Sequence, residues 1–180
     1  MSRILLIRHV TPKVSNAVCD HLTAQQRIDE YNQTDDLCLE EIDFAAIAPM
    51  LSEVSHIYCS PLIRAKRTAE ALFPTHQIQF DERLKEFNLR IFPLPFHCSF
   101  KRWLIISRLL WFVGINRTQC SPTAEKQRVL DFMQQHSLEH SAIVAHGFVL
   151  RTVQKQLEKQ GYRQQSGYRK GCFTLSVMTR

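Results

Sequence analysis

The chain has 180 residues, of which 44% are hydrophobic and 22% are charged, which predicts one domain over residues 1–180 with a buried core. Its net charge of +6 favours anionic partners but does not separate phosphate esters from nucleic acids or membrane surfaces. The six cysteines form no CxxC pair and no group with histidine, which argues against a metal site. The chain opens on a strand pattern rather than on a signal peptide, so reduced thiols and a cytoplasmic location are expected.

The first elements along the chain are a strand, a loop and a helix. A buried strand is predicted at residues 4–7. The polar stretch at residues 11–36 has no clear period, so it is predicted to be a surface loop. Residues 39–51 show a helical pattern that is broken or kinked at Pro49.

A second strand is predicted at residues 56–59, followed by a helix. Ser60 is predicted to cap this helix and Pro61 to occupy its first position, and Pro74 stops it. A short strand is then predicted at residues 77–80.

The second half of the chain continues the alternation. An apolar helix is predicted near residues 100–113, and another helix begins at Pro122. A buried strand at residues 142–145 is predicted to lead into a helix that opens at Gly147, and residues 172–177 are predicted to form a last strand that can lie at a sheet edge. These elements predict an α/β fold, a three-layer αβα sandwich with a mostly parallel sheet and an edge strand.

Cationic or imidazole side chains follow three of the predicted strands. Arg8 and His9 come after the first, Arg64 after the second, and His146 after the third. Ligands of open α/β sheets bind outside the carboxyl ends of the strands, so these four side chains are predicted to surround one anion.

Such a group suits phosphoryl transfer. A neutral imidazole is a competent nucleophile toward phosphorus, and His9 is the candidate. Arg8, Arg64 and His146 would supply the fixed donors that the equatorial phosphoryl oxygens need. Each residue alone also has a plainer explanation, such as a capping histidine or an exposed arginine, so the prediction rests on the group.

Three segments contain the candidate residues: Leu6-Ile7-Arg8-His9, Ser60-Pro61-Leu62-Ile63-Arg64-Ala65-Lys66-Arg67-Thr68-Ala69 and Val144-Ala145-His146-Gly147. In this order and at this spacing, they resemble the signatures of the histidine phosphatase superfamily, the phosphoglycerate mutase-like proteins.

The resemblance implies a role for each candidate residue. His9 would be the phosphorylated nucleophile, and the phosphate pocket would consist of Arg8, Arg64 and His146. His146 would thus serve both catalysis and substrate binding, and Glu86 would donate a proton to the leaving oxygen. The family uses no metal and no organic cofactor, and its partner would be a small phosphorylated substrate.

The chain departs from the family pattern in three places, one of which is that the asparagine expected a little after the first signature has only an approximate counterpart in Asn16 or Ser15. Val10 stands where the family most often has glycine, and a positive φ there would strain a β-branched residue. The glycine-containing continuation common in the mutase branch is missing after Glu86, so Asp81 and Glu82 remain alternative acids.

The middle segment, residues 91–119, is predicted to be a helical lid insertion over the site. Its apolar run at residues 103–115 is too short for a membrane span and contains Arg108. It is expected to be a helix that lies on the domain, with an interfacial membrane helix as the alternative.

The leading hypothesis is therefore a phosphomonoester hydrolase that works without a metal through a phosphohistidine. A phosphomutase, or a weakly active or inactive phosphate-binding regulatory protein of the same fold, remains open. Nucleic-acid binding through Arg163, Arg169 and Lys170 would rest on charge alone and is not expected. The sequence does not predict the oligomeric state.

Overall fold

The computed structural model describes residues 2–116 and 120–180. The elements in chain order are β1 (Arg3–Arg8), β2 (Val18–Cys19), α1 (His21–Gln33), α2 (Phe44–Ile47), β3 (His56–Cys59), α3 (Ile63–Leu72), β4 (Ile78–Phe80), β5 (Cys98–Ser99), α4 (Phe100–Phe112), α5 (Pro122–Gln135), β6 (Ser141–Ala145), α6 (Gly147–Lys159), β7 (Arg163–Lys170) and β8 (Phe173–Thr179). Short 3₁₀ turns lie at Leu39–Glu41, Ala48–Met50 and Glu82–Leu84.

The main sheet has six strands in the order β4-β3-β6-β1-β8-β7. The neighbours from β4 to β1 are parallel, whereas β8 runs antiparallel to both β1 and β7. The sheet is thus mostly parallel, and its antiparallel strands lie at one side. The last strand, β8, is not at the edge as the sequence suggested, because β7 pairs with its outer side.

Helices cover both faces of this sheet. Successive side chains of a strand point to opposite faces, and in β1 both sets are apolar, so both faces must be covered. Ile4 and Leu6 of β1 pack with apolar residues of α5 and α6 on one face. Leu5 and Ile7 pack with residues of α2 and α3 on the other. The predicted three-layer αβα sandwich is therefore confirmed.

A third apolar cluster joins α1 and α4. It contains Ala24 of α1 and Phe100 and Trp103 of α4, together with the facing pair Cys19 and Cys98 of β2 and β5. Residues 91–112 thus pack against the segment that follows β1.

The prediction of a surface loop at residues 11–36 was wrong, because it contains the helix α1. Asp20 caps this helix by accepting a hydrogen bond from the Thr23 backbone N–H at 2.8 Å. Its inward stripe is limited to Ala24, Ile28 and Tyr31, spaced by four and three residues. So narrow an apolar stripe on a polar helix gives a weak periodic signal.

Two further predictions need correction, and one long strand was not predicted. The pattern at residues 39–51 forms only the short helix α2 and two 3₁₀ turns. Ser60 does not cap α3, whose N-cap is Leu62. The strand β7 was missed because seven of its eight residues are exposed and it lacks apolar alternation, as suits an edge strand.

Helix α4 lies on the domain with one face buried. Trp103, Ser107 and Trp111 face inward, whereas Ile105 and Leu109 are about 60% exposed. Within the described ranges, no helix is both long and apolar enough to cross a membrane.

Candidate active site

Parallel pairing brings the ends of β1, β3 and β6 together. Arg8 is in register with Ala145, and Cys59 with Val144, so the next residue of each strand, His9, Ser60 and His146, emerges at one edge. The ladder continues for one more residue on each side of β6, since His9 N–H donates to Ala145 O and Ser60 N–H to Val144 O. We call His9, Ser60, Arg64 and His146 the histidine cluster.

The His9 ring is held in a defined tautomer. Its Nδ1 lies 2.6 Å from the Val10 carbonyl oxygen, which only accepts, so Nδ1 carries the proton. Its Nε2 lies 3.2 Å from Arg64 Nε–H, which only donates, so Nε2 has the free electron pair. Burial, and then the Arg64 charge, lower the pKa of His9 well below its usual value. The imidazole is therefore neutral at neutral pH.

Arg64 is fixed by contacts on three sides. It lies in the first turn of α3 and is 3% exposed. Besides donating to His9, it donates to Asn32 Oδ1 at 2.9 Å, and its guanidinium carbon lies 4.7 Å from the centre of the Tyr31 ring. Sequence reasoning missed Tyr31 and Asn32 because they belong to α1, within the predicted loop.

His146 completes the cluster with Ser60. The centres of the His146 and His9 rings are 5.0 Å apart. His146 Nε2 lies 2.8 Å from Ser60 Oγ, and Nδ1 is buried without a hydrogen-bond partner among the described residues. Burial, and then the proximity of His9, lower the pKa of His146 well below its usual value. Sequence reasoning gave Ser60 only a capping role, although its place at a strand end was a usable signal.

Arg8 lies beside this cluster, against the first residue of α6. A side chain at Gly147 would place its Cβ 3.7 Å from Arg8 Cζ and Nε. Arg8 Nε is buried and has no partner within the described ranges. A buried donor of this kind is rare unless a ligand or water satisfies it.

Glu86 follows the 3₁₀ turn Glu82–Leu84 and is half-buried. Loss of solvation raises the pKa of Glu86, although the Phe87 backbone N–H, 2.9 Å from its Oε1, and the positive charges of Arg108, Arg64 and Arg8 oppose the shift. A carboxyl with a raised pKa holds its proton to higher pH.

Arg108 of α4 anchors the segment after Glu86. Its guanidinium donates to Phe87 O at 2.8 Å and to Asn88 O at 2.9 Å. The charge noted in the apolar run therefore lies inside the molecule, where it ties the middle segment to the chain next to Glu86.

The alternative acids are engaged elsewhere. Asp81 pairs with Arg83 at 2.6 Å, and Glu82 pairs with Lys85 at 2.5 Å. Both pairs are local, whereas the positive charges of Arg64 and Arg8 act on the Glu86 carboxyl.

Val10 is not strained. Among the described non-glycine residues only Glu53 and His140 have positive φ. Val10 is buried in the core, and its N–H donates to Thr68 Oγ1 at 3.2 Å. The valine therefore fits the backbone that orients His9.

The three basic residues considered for nucleic-acid binding lie on β7 in different surroundings. Lys170 Nζ donates to Glu40 O, and Arg163 Nη1 donates to Tyr162 O and Glu158 O. Arg169 lines a cleft with Arg8. Within residues 2–116 and 120–180, no group of three or more His, Cys, Asp or Glu side chains is arranged to hold a metal ion.

Comparison with protein families gives a match to the histidine phosphatase superfamily (branch 1) over residues 39–178. The chain belongs to this superfamily. The matched range contains Arg64, Glu86 and His146, whereas Arg8 and His9 precede it. The comparison with curated protein sequences gives no match.

Solved structures, two of them of named phosphatases, have the same fold. Phosphoserine phosphatase from Entamoeba histolytica, in complex with 3-phosphoglyceric acid, has a TM-score of 0.57 at 17% identity, covering 100% of this chain and 96% of that chain. A mycobacterial glucosyl-3-phosphoglycerate phosphatase has a TM-score of 0.55 at 18% identity, covering 88% and 80%. Bacillus stearothermophilus YhfR has a TM-score of 0.57 at 23% identity, covering 88% and 81%.

Proposed function

We propose that this chain is a phosphomonoester hydrolase that works without a metal, through a phosphohistidine on His9. The observation that carries the proposal is the state of the His9 ring. It is buried and neutral, with its proton on Nδ1 and its electron pair on Nε2 beside the Arg64 guanidinium. This is the state that a nucleophilic imidazole requires.

In the first step, His9 Nε2 attacks phosphorus and the bond from phosphorus to the ester oxygen breaks. The leaving oxygen takes a proton from Glu86, whose raised pKa suits a general acid. Arg8, Arg64 and His146 would bind the equatorial oxygens, where negative charge spreads in the transition state. Arg64 Nε would then exchange its contact with His9 for one with the phosphoryl group.

In the second step, water attacks the phosphorus of phosphohistidine and gives a proton to the Glu86 carboxylate. The N–P bond breaks, inorganic phosphate leaves, and both side chains return to their starting states. Ser60 would act by holding His146, since its Oγ lies 2.8 Å from His146 Nε2.

Small phosphorylated molecules are the proposed substrates. The structural neighbours include a phosphoserine phosphatase in complex with 3-phosphoglyceric acid, which supports this class. We further propose that the chain is one domain in which residues 91–119 form the lid, a range whose last three residues, 117–119, lie outside the described residues. Phe100 of α4 reaches the site through Tyr31, with ring centres 6.4 Å apart. The cysteines at positions 19, 38, 59, 98 and 172 are free thiols, which supports the cytoplasm as the compartment.

The test is hydrolysis of 4-nitrophenyl phosphate in the presence of EDTA. Wild-type protein is expected to release nitrophenol, and His9→Ala is expected to lose this activity entirely. His56→Ala, which removes an exposed histidine at the start of β3, is the matched control and should keep it. Wild-type protein that binds phosphate but hydrolyses no ester would instead support the regulatory alternative. Transfer of the phosphoryl group to a second substrate hydroxyl rather than to water would support the mutase.

A further inference from the structure

A cleft with a volume of about 220 Å³ lies next to the histidine cluster, between α6 and the side of the sheet formed by β1, β8 and β7. We call it the arginine cleft. Its polar lining consists of Arg8, Arg151, Gln154, Arg169, Thr174 and Ser176.

Strand register explains why Arg8 and Arg169 line the same cleft. Arg8 of β1 is directly opposite Thr174 of β8, and Thr174 is directly opposite Arg169 of β7. Side chains of directly opposed residues share one face of a sheet, so these three residues form a row across the floor of the cleft.

Helix α6 supplies the wall and the third arginine. Gly147, Arg151 and Gln154 are spaced by four and three residues, so they line one face of the helix. Gly147 is the residue against which the Arg8 guanidinium lies. The helix thus places Arg151 one turn along the cleft from Arg8.

The positive charge of the cleft is not neutralised from within the protein. No residue of its lining is acidic, and none of the three arginines forms an ion pair with a described carboxylate. Arg8 Nε is, in addition, buried and without a partner among residues 2–116 and 120–180. Hydroxyl and amide donors complete a lining that matches carboxylate or phosphate oxygens.

Arg8 is the residue that this cleft shares with the proposed phosphate pocket, since it directly precedes His9 and lies against Gly147, the residue after His146. It lines the cleft, and its positive charge also acts on His9, His146 and Glu86. An anionic group in the cleft would therefore be held close to a phosphoryl group on His9.

We propose that the arginine cleft binds a second anionic group of the substrate, a carboxylate or a second phosphate, in addition to the phosphoryl group that is transferred. The preferred substrates are thus phosphomonoesters that carry another acid group. This inference rests on the proposed hydrolase function, because it assigns the rest of the substrate to a subsite of that enzyme.

The experiment compares substrates that differ by one anionic group. The pairs are 3-phosphoglycerate with glycerol 3-phosphate, phosphoserine with phosphoethanolamine, and fructose 1,6-bisphosphate with fructose 6-phosphate. We expect kcat/KM of the wild-type protein to be higher for the anion-bearing member of at least one pair. In the double variant Arg151→Gln/Arg169→Gln this ratio should fall by about tenfold, since hydrogen bonds to charged groups are lost.

Lys155→Gln is the matched control. Lys155 is exposed on α6, one turn beyond Arg151, and does not line the cleft, so the substitution removes a positive charge without touching the subsite. The ratio should stay unchanged in this variant. A ratio near one for every pair, or an equal fall in Lys155→Gln and in the double variant, would overturn the proposal.

Binding to the His9→Ala variant separates the two proposals. Calorimetric titration of this variant with each substrate pair measures the preference for the extra anionic group without turnover. If wild-type protein fails to hydrolyse 4-nitrophenyl phosphate but this preference is present and depends on Arg151 and Arg169, the hydrolase function is wrong and the subsite stands. Competition by free glycerate that is as strong as that by 3-phosphoglycerate would mean that the cleft binds a separate anion, which contradicts the proposal.

Discussion

Arg64 of the histidine cluster and Arg151 and Arg169 of the arginine cleft are proposed to bind anionic groups of one substrate, and they do so from different surroundings. Arg64 is buried, donates to His9 and Asn32, and lies on the Tyr31 ring. Arg151 and Arg169 are exposed and have no carboxylate partner among the described residues. Arg8 lies between the two groups.

The difference separates the two tasks that arginine performs here. A buried, hydrogen-bonded guanidinium is already oriented and acts in a medium of low dielectric, so it can stabilise charge that develops during reaction. An exposed guanidinium gains less from each contact and is screened by salt, so it discriminates between ligands. Substitutions in the cluster should therefore affect kcat, and changes at the cleft should affect the choice of substrate.

The largest expected effect is that of Arg64→Lys. Lysine keeps the charge but lacks the planar fork that contacts both His9 and Asn32. We expect kcat for 4-nitrophenyl phosphate to fall by about 100- to 1,000-fold, the usual loss when one fixed donor to the transition state is removed. Arg67→Lys, at an exposed position on the same helix, should stay within about twofold. Similar activities of the two variants would contradict the role of the cluster.

Glu86→Gln should remove the proton donor. We expect kcat for glycerol 3-phosphate, whose alkoxide leaves poorly without a proton, to fall by about 100-fold. For 4-nitrophenyl phosphate, whose leaving group needs little protonation, the fall should be below about tenfold. Glu82→Gln, in the preceding 3₁₀ turn, is the control. Equal losses for both substrates would show that Glu86 is not the acid.

His9 and Glu86 together determine the expected dependence of activity on pH. Activity needs neutral His9 and protonated Glu86, so it is lost as pH falls through the pKa of His9 and as pH rises through the pKa of Glu86. Burial lowers the first pKa and raises the second, which brings the two required states to the same pH. In Glu86→Gln the limb at high pH should disappear from a plot of kcat against pH.

Gly171→Ala should weaken the hydrogen bonds through which Glu41 connects the segment after His9 with the hairpin of the arginine cleft. Glu41 accepts hydrogen bonds from the Thr11 and Phe173 backbone N–H groups, and so joins the segment after His9 to the hairpin that carries Arg169. A methyl group at Gly171 would overlap the Glu41 carboxylate. We expect the free energy of unfolding to fall by about 1 kcal/mol for the positive φ and by about 1–3 kcal/mol more for the overlap.

Gly114→Ala is the control for this substitution. Gly114 also has positive φ, +79°, but open space around the new methyl group, so only the backbone cost should appear in urea denaturation. Equal losses of stability at the two positions would mean that Glu41 moves aside freely.

The smallest expected effect is that of salt. Raising the ionic strength shortens the range of charge interactions, most strongly for exposed groups. Between low and high salt, the preference for 3-phosphoglycerate over glycerol 3-phosphate should fall by about two- to threefold. The double variant of Arg151 and Arg169 should lose most of this salt dependence. A salt effect of unchanged size in that variant would place the preference outside the cleft.

The positions that parallel strand pairing determines, those of the residues at the strand ends, were the part of the site best predicted from the sequence. Buried strands with strong apolar runs placed Arg8, His9 and His146 at one edge, and the helix after β3 added Arg64. The role of Glu86 as the acid stays a prediction. The sequence alone could not assign the local partners of the neighbouring carboxylates, which are Arg83 for Asp81 and Lys85 for Glu82.

The sequence failed where contacts between distant polar segments decide the structure. Helix α1 has too narrow an apolar stripe to be detected, so the contacts of Tyr31 and Asn32 with Arg64 were missed. Strand β7 has almost no buried side chain, so Arg169 was considered only as part of a basic run. The arginine cleft depends on β7 pairing with β8 and on α6 packing beside it, and neither relation has a local signature.

The central claim is that His9 carries the phosphoryl group, and the most direct test is to trap it. Protein mixed briefly with a radiolabelled aryl phosphate in EDTA is quenched with alkali, in which phosphohistidine survives, and the labelled peptide is sequenced. One label is expected, on the peptide that contains His9, and it should disappear in His9→Ala and decay at the rate of phosphate release. Hydrolysis that proceeds at full rate with no label on that peptide would contradict the claim.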